Sequence, residues 1–381
     1  RDLRQAADQG AVPGVVALAM HDSRVVYQGA FGHRALPDGP AMSMDTVFRI
    51  ASMTKAVTGV AAMQMVERGK LSLEAPAGEI VPELKEPVVL EGFDESGTPR
   101  TRPARRQITL RHLLTHTAGF GYDIWNSDIA RYCRVTGLPA PRTGLLAGLR
   151  APLTSDPGER WQYSISIDWA GRMVEAVSGM DLETYFQKRI FAPLGREDTS
   201  YEVRPHMLPR LATAYARKDG SLQPLMIEPN PVREFFPGGG GLHSTAGDYM
   251  RFLRMLMNGG ELDGFRVLQP QTVADMARNH IDDLLVEKMV SYNPASSNDV
   301  ELFPGMNKKW GLSFLINTEA GPCGRSAGSL AWAGLYNSYY WLDPRARVAG
   351  VLLTQILPFG DPVVLELLNA FERGVYEQAR L

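Results

Sequence analysis

Strand-like segments occur at both ends of this 381-residue chain, whereas helix-like segments dominate its middle. Residues 15–31 have the pattern of a β-hairpin near the N-terminus. Strand-like runs return near the C-terminus at 311–316, 329–342 and 348–356. A single antiparallel sheet, built from both ends and flanked by helices, would pair all of these runs. The sequence therefore predicts an α+β fold with an inserted, mainly helical domain.

The expected division of the chain follows from this pattern. We expect residues 1–85 and 236–381 to form the α/β domain with the antiparallel sheet, and residues 86–235 to form the mainly helical insertion. Residues 76–103 are rich in Pro, Glu and Gly, which predicts a long surface connection. Because ligand pockets form preferentially between domains, we expect an active site in the cleft between the two parts.

Composition argues against several classes of function. A formal charge of −2 gives no electrostatic basis for binding nucleic acid or an anionic membrane, and the apolar runs are strand-sized. Cys133 and Cys323 are far apart in the sequence, which favours two free thiols over a single bridge and argues against a metal site. No cofactor is expected. The chain begins at Arg1 without a signal-peptide pattern, so a cytoplasmic location is favoured while export and oligomeric state stay open.

The chemically most suggestive pattern is Ser52-Met53-Thr54-Lys55, which precedes an Ala-, Val- and Met-rich helix expected over 56–67, with a glycine stop at Gly69. Residues three apart share a helix face, so Lys55 is expected beside Ser52, in the positive field of the helix N-terminus. A hydroxyl becomes a nucleophile when a neighbour takes its proton, and a desolvated lysine can do so. An N-cap serine gives the same local pattern, so support is needed elsewhere.

Two further segments could supply the base and the oxyanion donor. Tyr163 follows a Pro157-Gly158 turn at the start of a helix, where a nearby cation would make the phenol a usable base; a half-buried structural tyrosine is the alternative. Gly334 stands within a strand-like run, which often marks close approach by a ligand. The backbone N–H groups of Leu335 and Ser52 would form a two-donor oxyanion hole. A strand glycine packed beneath an aromatic residue is the alternative.

In this order, the motifs resemble the serine beta-lactamase-like superfamily, and within it the class C beta-lactamase-like esterases, also called family VIII carboxylesterases. Ser52 to Lys55 matches the Ser-x-x-Lys motif, Tyr163-Ser164-Ile165 occupies the Tyr-x-Asn position, and Trp332-Ala333-Gly334 occupies the Lys-Thr-Gly position. The resemblance covers nearly the whole chain. It implies a beta-lactamase/transpeptidase-like fold, an acyl-enzyme on Ser52, and Lys55 and Tyr163 as the base pair.

Two departures from the family pattern bear on the substrate. Ile165 replaces an asparagine amide, and Trp332 replaces a lysine whose cation attracts the carboxylate of β-lactams and of D-Ala-ending peptides. A charge-assisted hydrogen bond contributes roughly 1.5–3 kcal/mol, so its loss favours neutral, apolar acyl esters. The expected function is a serine carboxylesterase for short-chain or aryl/alkyl esters, with weak beta-lactamase activity at most. A beta-lactamase or D-Ala peptidase, an acyltransferase using the same site, and a non-catalytic binding protein are the alternatives.

The wall of the substrate site is the least constrained part of this prediction. The side chains expected to line it are Trp332, Gly334, Ile165, Tyr122, Trp125 and Phe236, followed by Phe120 and Phe235. Large aromatic side chains of this kind are also common in protein cores, which is the alternative for each of them.

Other serine-based arrangements fit less well. Residues 324–328 match Gly-x-Ser-x-Gly around Ser326, but that hydrolase elbow needs a later histidine, and the last one is His280. A Ser-His-Asp triad of Ser52 with His116 or His243 is a further alternative, and both histidines lie inside structural-looking motifs.

Overall fold

A computed structural model describes residues 1–140, 143–227 and 233–379. Its helices are α1 (Asp2–Asp8), α2 (Thr54–Glu67), α3 (Leu110–Leu114), α4 (Ser127–Thr136), α5 (Ser166–Ser178), α6 (Leu182–Phe186), α7 (Ala246–Met257), α8 (Pro270–Met276) and α9 (Pro362–Ala379). Its strands are β1 (Gly14–His21), β2 (Arg24–Gly32), β3 (Phe48–Arg49), β4 (Val88–Phe93), β5 (Pro99–Pro103), β6 (Tyr215–Lys218), β7 (Ser221–Pro224), β8 (His243–Ser244), β9 (Glu261–Leu262), β10 (Phe265–Arg266), β11 (Lys308–Trp310), β12 (Leu315–Asn317), β13 (Leu330–Gly334), β14 (Ser338–Asp343), β15 (Val348–Leu353) and β16 (Ile356–Leu357).

The largest sheet joins the two ends of the chain. Its strand order is β11-β12-β13-β14-β15-β1-β2, and its neighbouring strands are antiparallel. The N-terminal hairpin β1–β2 is added to the C-terminal strands through β15, with Ala17 opposite Leu352. The predicted α+β fold and the single sheet built from both ends are therefore confirmed.

The central strands are covered by helices. Every residue of β13, β14 and β15 is buried, as is every residue of β1 except His21. Helix α7 packs against β15 and β1, and helices α1 and α9 pack against β2. This layered arrangement buries the apolar strands that the sequence places at the two ends of the chain.

Helix α2 passes through the interior. It is buried continuously from Thr54 to Met65 and packs against α5, as expected for a helix that is apolar around its whole circumference. The predicted glycine stop is confirmed, because Gly69 has a φ of +65° just after the helix ends. Residues Ala51–Met53 form a 3-10 turn that leads into α2, so Ser52 lies in that turn and not in the α-helix itself.

Two expectations about the connections are wrong. Residues 76–103 contain the antiparallel hairpin β4–β5, in which Val89 and Leu90 are buried, so this segment is more than a surface connection. The run 329–342 is two strands, because Asn337 has a φ of +61° and its N–H donates to the Gly334 carbonyl in a turn. Gly334 therefore ends β13 and does not lie in the interior of a longer strand.

The inserted region is more mixed than the sequence suggested. The described part of residues 86–235 contains α3 to α6, and it also contains the hairpins β4–β5 and β6–β7. Its division from the sheet as a separate domain stays a prediction. Cys133 and Cys323 are both free thiols, as predicted. Among the described residues, no helix combines the length and apolar character that crossing a membrane requires.

Candidate active site

Ser52 and Lys55 lie side by side at the start of α2. Lys55 Nζ is 3.0 Å from Ser52 Oγ, within hydrogen-bond distance. Ala51 has a φ of +45°, a left-handed conformation that is uncommon for a residue with a side chain, and it turns the chain just before Ser52. Lys55 is only 1% exposed, whereas Ser52 is partly exposed. The arrangement pairs an accessible serine with a desolvated amine.

The amine of Lys55 has two further partners. Its Nζ donates to the Gly239 carbonyl over 2.6 Å and to the Tyr122 hydroxyl over 3.1 Å. A neutral amine has two N–H groups and one lone pair. When both N–H groups are used by Gly239 and Tyr122, the lone pair is left to face Ser52 Oγ, which is the orientation that proton removal from the hydroxyl requires.

Tyr163 presents its ring, and not its hydroxyl, to the amine of Lys55. Lys55 Nζ is 4.7 Å from the ring centroid of Tyr163. The Tyr163 hydroxyl accepts a hydrogen bond of 3.0 Å from the indole Nε1–H of Trp332. Both side chains are almost fully buried, so this contact fixes where the phenol oxygen points.

Tyr122 has a different position from the one expected. The sequence suggested a wall residue, but its hydroxyl contacts Lys55 directly. Burial, with contributions from the charges of Asp168 and Tyr163, raises the pKa of Tyr122 well above its usual value. Its phenol therefore stays protonated, which favours a role in orienting Lys55 and argues against a role as the ionised base.

The histidine alternatives are not supported by the geometry. The His116 ring packs 4.8 Å from Tyr163, and its Nδ1 accepts from the Ser164 backbone N–H, so its contacts are with the tyrosine segment. Burial lowers the pKa of His116 well below its usual value. His243 pairs with Arg49 across β3 and β8, and burial lowers its pKa to about 4. Burial therefore keeps both imidazole rings neutral near pH 7.

Ser326 has structural contacts as well. Its backbone N–H donates to the Asp343 carboxylate over 2.8 Å, and its carbonyl accepts from Ser329 Oγ over 2.7 Å. The loop leads into strand β13 and not into a helix, so the strand–turn–helix context of a hydrolase elbow is missing here.

A side chain at position 334 would not fit, because another segment of backbone occupies that space. A Cβ on Gly334 would lie 2.4 Å from the Ile50 carbonyl oxygen and 3.6 Å from Ala51 Cβ. The close approach is therefore by the residues that precede Ser52, and not by a ligand as the sequence suggested. It brings the end of β13, and with it Leu335, next to the turn that holds Ser52. The two proposed oxyanion donors thus lie on adjoining segments.

Gly334→Ala is expected to lower the free energy of unfolding by about 1–3 kcal/mol, because the added methyl group overpacks a rigid backbone contact. Chemical denaturation of purified protein would measure this change. Gly374→Ala is the matched control, since a Cβ on this glycine in α9 meets no atom within 4 Å. We expect the control to be neutral or slightly stabilising. Equal stability of the two variants would contradict the packing role of Gly334.

The predicted wall residues separate into two groups. Trp332 and Ile165 are buried, and the Trp125 ring lies 5.3 Å from Tyr163. A cavity of about 220 Å³ is lined by Trp125, Trp161 and Tyr163 together with residues 287–290. Phe236 instead packs 4.9 Å from Tyr201, on a larger cavity of about 480 Å³ that Ser52, Lys55 and Tyr163 do not line.

The two weaker wall candidates have core environments. Phe120 stacks on Trp169 with 6.4 Å between ring centroids, and Phe235 is 3% exposed. Tyr163 lines the smaller cavity, whereas Ser52 and Lys55 line neither of the two.

The sequence reasoning missed Asp168. This carboxylate is 3% exposed on α5, and its Oδ1 accepts from the Gly239 N–H over 2.8 Å. Burial raises the pKa of Asp168 to about 6, although the charge of Lys55 acts in the opposite direction. An available signal was an aspartate among the apolar residues Ile167, Trp169 and Ala170, because buried acids are rare unless they have partners.

The raised pKa of Asp168 predicts how stability depends on pH. The folded chain binds the proton of the Asp168 carboxyl group more tightly than the unfolded chain does. The contribution of this proton to stability is therefore largest at low pH and is lost as pH rises through about 6. Asp168→Asn removes this dependence. The free energy of unfolding of Asp168→Asn minus that of the wild type is expected to be about 1 kcal/mol larger at pH 8 than at pH 5. Urea denaturation of both proteins at both pH values would measure this quantity. The same value at pH 5 and pH 8 would contradict the raised pKa of Asp168.

Within the described residues, no group of three or more His, Cys, Asp or Glu side chains could hold a metal ion. The groups brought together at the site are the hydroxyl of Ser52, the amine of Lys55 and the phenols of Tyr122 and Tyr163.

Comparison with known proteins gives a consistent result. A family model described as Beta-lactamase matches residues 1–373. A monacolin J acid methylbutanoyltransferase from Aspergillus terreus is 35% identical, over 98% of this chain and 94% of that protein. The structure of a simvastatin synthase mutant from Aspergillus terreus, LovD9, superposes with a TM-score of 0.86 and 33% identity, covering 100% of this chain and 98% of that one. EstCE1, described as a hydrolase with promiscuous acyltransferase activity, gives a TM-score of 0.77 and 26% identity over 98% and 96% of the two chains.

Proposed function

This chain belongs to the beta-lactamase family, and we propose that it is a serine acyltransferase that moves an acyl group from an ester to an alcohol through an acyl-enzyme on Ser52. The single observation that carries this proposal is the 3.0 Å contact between Lys55 Nζ and Ser52 Oγ. A hydroxyl held this close to a buried amine is set up for nucleophilic catalysis.

In the first step, Ser52 Oγ attacks the ester carbonyl while its proton passes to Lys55 Nζ, which lies 3.0 Å away. The N–H groups of Ser52 and Leu335 donate hydrogen bonds that stabilise the negative charge developing on the carbonyl oxygen. Tyr163 gives a proton to the departing alkoxide, so an alcohol leaves and an ester bond to Ser52 remains. The indole N–H of Trp332 holds the Tyr163 hydroxyl in place during this transfer.

In the second step, an acceptor alcohol enters where the first alcohol left. Tyr163, which gave up a proton in the first step, takes the proton of the acceptor alcohol. The oxygen of that alcohol attacks the acyl carbonyl, and Ser52 Oγ leaves with the proton returned from Lys55. Water in place of the alcohol would complete ester hydrolysis by the same route. The two reactions therefore share the site and the intermediate, and they differ only in the nucleophile of this step.

One observation favours an alcohol over water. The relative with 35% identity is named as a methylbutanoyltransferase. Ester hydrolysis is the second candidate, because the similar EstCE1 is described as a hydrolase with promiscuous acyltransferase activity.

Product analysis distinguishes the two reactions. The enzyme would be given p-nitrophenyl butyrate with increasing 1-butanol, and butyl butyrate and butyric acid would be quantified against released p-nitrophenol. Acyl transfer predicts that the butyl ester becomes the main product while butyric acid falls correspondingly. Butyric acid as the main product at every alcohol concentration would favour the esterase. Absence of p-nitrophenol release above the uncatalysed rate would overturn both.

Hydrolysis of β-lactams is expected to be weak. Trp332 fills the position where family members that bind carboxylates have a lysine, and its indole is committed to Tyr163. Loss of a charge-assisted hydrogen bond of roughly 1.5–3 kcal/mol corresponds to about a 10- to 100-fold loss in kcat/KM. We therefore expect kcat/KM for nitrocefin to be at least about 10-fold below that for p-nitrophenyl butyrate. Equal values for the two substrates would support the beta-lactamase alternative.

A further inference from the structure

Asp168 and Lys55 are connected through one glycine. Asp168 Oδ1 accepts from the backbone N–H of Gly239 over 2.8 Å, and the carbonyl of the same residue accepts from Lys55 Nζ over 2.6 Å. The preceding carbonyl, that of Gly238, accepts from Thr58 Oγ1 over 2.6 Å. These two residues begin a run of four glycines at 238–241, and the glycine run is therefore held by a carboxylate, an amine and a hydroxyl from helices α5 and α2.

The space around Gly239 is equally restricted. A Cβ placed on this residue would lie 3.1 Å from Asp168 Oδ1, from Asp168 Oδ2 and from the Tyr122 hydroxyl. Asp168 and Tyr122 thus converge on Gly239, and Lys55 contacts both Tyr122 and Gly239. A change in the carboxylate would act on the two groups that orient the amine of Lys55.

We propose that Asp168 is a positioning residue for Lys55: through the backbone N–H of Gly239 it fixes the carbonyl that accepts from the amine. The inference rests on the proposed function, because Lys55 is positioned there for proton transfer from Ser52. Asp168 does not contact the reacting atoms. It acts through Gly239 and through its electric field, and so it sets the pH range in which Ser52 is activated.

The groups that act on Asp168 come from several elements. Burial raises the pKa of Asp168, and Lys55, which faces the carboxylate from α2, acts in the opposite direction. Tyr122 and Tyr201 are neutral phenols whose pKa values are raised by burial first and then by the charge of Asp168. Lys55 is therefore the cation among these neighbours. Removal of the Asp168 charge is expected to have its largest electrostatic effect at the Lys55 amine.

The test compares two substitutions at Asp168 with a control on the same helix. Asp168→Asn keeps an oxygen that accepts from the Gly239 N–H but removes the charge, and Asp168→Ala removes both. Glu175→Gln removes the charge of a carboxylate that burial also affects but whose partners are Arg172 and Leu182. The rate of Ser52 labelling by a fluorophosphonate probe, from pH 5 to pH 10, would be measured together with kcat and KM.

Asp168→Asn is expected to shift the midpoint of the labelling profile to lower pH by about 0.5–1 unit, because a nearby negative charge opposes proton loss from a base and asparagine lacks that charge. Asp168→Ala is expected to lower kcat by about 10- to 100-fold with little change in KM, as for other supporting residues. Glu175→Gln is expected to leave both the midpoint and kcat unchanged.

The outcomes separate the two proposals. If wild-type Ser52 does not react with the probe at any pH, the proposed function fails. If wild-type Ser52 reacts and the midpoint for Asp168→Asn equals that of the wild type, the positioning role is overturned while the proposed function stands. If Asp168→Ala does not fold, the midpoint of Asp168→Asn decides alone, since a residue with a purely structural role would not move it.

Discussion

Ser52→Ala is expected to abolish ester turnover and acyl transfer, with a loss in kcat/KM of about 10⁴-fold or more. The hydroxyl oxygen is the atom that forms the new bond, so no neighbouring group replaces it. Release of p-nitrophenol from p-nitrophenyl butyrate would measure the loss. The variant is expected to fold normally, because Ser52 is partly exposed and alanine is a small change in the 3-10 turn.

Ser326→Ala is the matched control for this prediction. It removes the other serine that fits a hydrolase motif, but the contacts of Ser326 to Asp343 and Ser329 use backbone groups that alanine retains. We expect wild-type turnover from this variant. Loss of turnover in Ser326→Ala with retention in Ser52→Ala would reverse the assignment of the nucleophile.

Lys55→Met is expected to lower kcat by about 10²- to 10⁴-fold, the range typical for loss of a general base. Methionine keeps much of the volume of the buried stem but cannot take the proton of Ser52 Oγ, which lies 3.0 Å from the amine. Single-turnover release of p-nitrophenol would measure the chemical step directly, without a contribution from product release.

Lys308→Met is the control for burial of a lysine. Lys308 is 3% exposed, and its Nζ donates to the Phe303 and Met306 carbonyls and contacts Glu301. Its replacement is expected to lower the free energy of unfolding while the folded protein keeps its kcat. A Lys55→Met variant with kcat within a few fold of the wild type would contradict the role of Lys55 as base.

Local sequence relations were predicted well. The hairpin β1–β2, the burial of α2, the glycine stop at Gly69 and the contact of Ser52 with Lys55 all depend on residues close in the chain. The pairing of the two chain ends was also predictable, because both ends have strand patterns that need partners. The wrong elements were turns and short strands inside segments rich in Gly, Pro or aromatic residues, such as β4–β5 and the turn at Asn337.

Contacts between distant residues could not be read in the same way. Tyr122 and Tyr163 are both far from Lys55 in the sequence, and only the fold shows that the first offers its hydroxyl and the second its ring face. The link from Asp168 through Gly239 to Lys55 joins three segments. No periodicity or motif reports such a link, because it depends on how α2, α5 and the glycine run pack.

Sequence motifs also do not distinguish hydrolysis from acyl transfer. The sequence favoured an esterase because Trp332 and Ile165 indicate an apolar substrate site. The similarity to a methylbutanoyltransferase supports acyl transfer instead. Both reactions form the same acyl-enzyme, so the residues of the first step are identical. The outcome depends on whether an alcohol or water reaches the acyl group more readily.

The most direct test of the central claim is mass spectrometry of the acylated protein. The enzyme would be mixed with p-nitrophenyl butyrate, quenched in acid within one turnover, digested and mapped, and a parallel sample would be chased with 1-butanol before quenching. We predict a butyryl group on the peptide that contains Ser52, and its loss on chasing with formation of butyl butyrate. A butyryl group found on another residue, or turnover without any acylated peptide, would contradict the account.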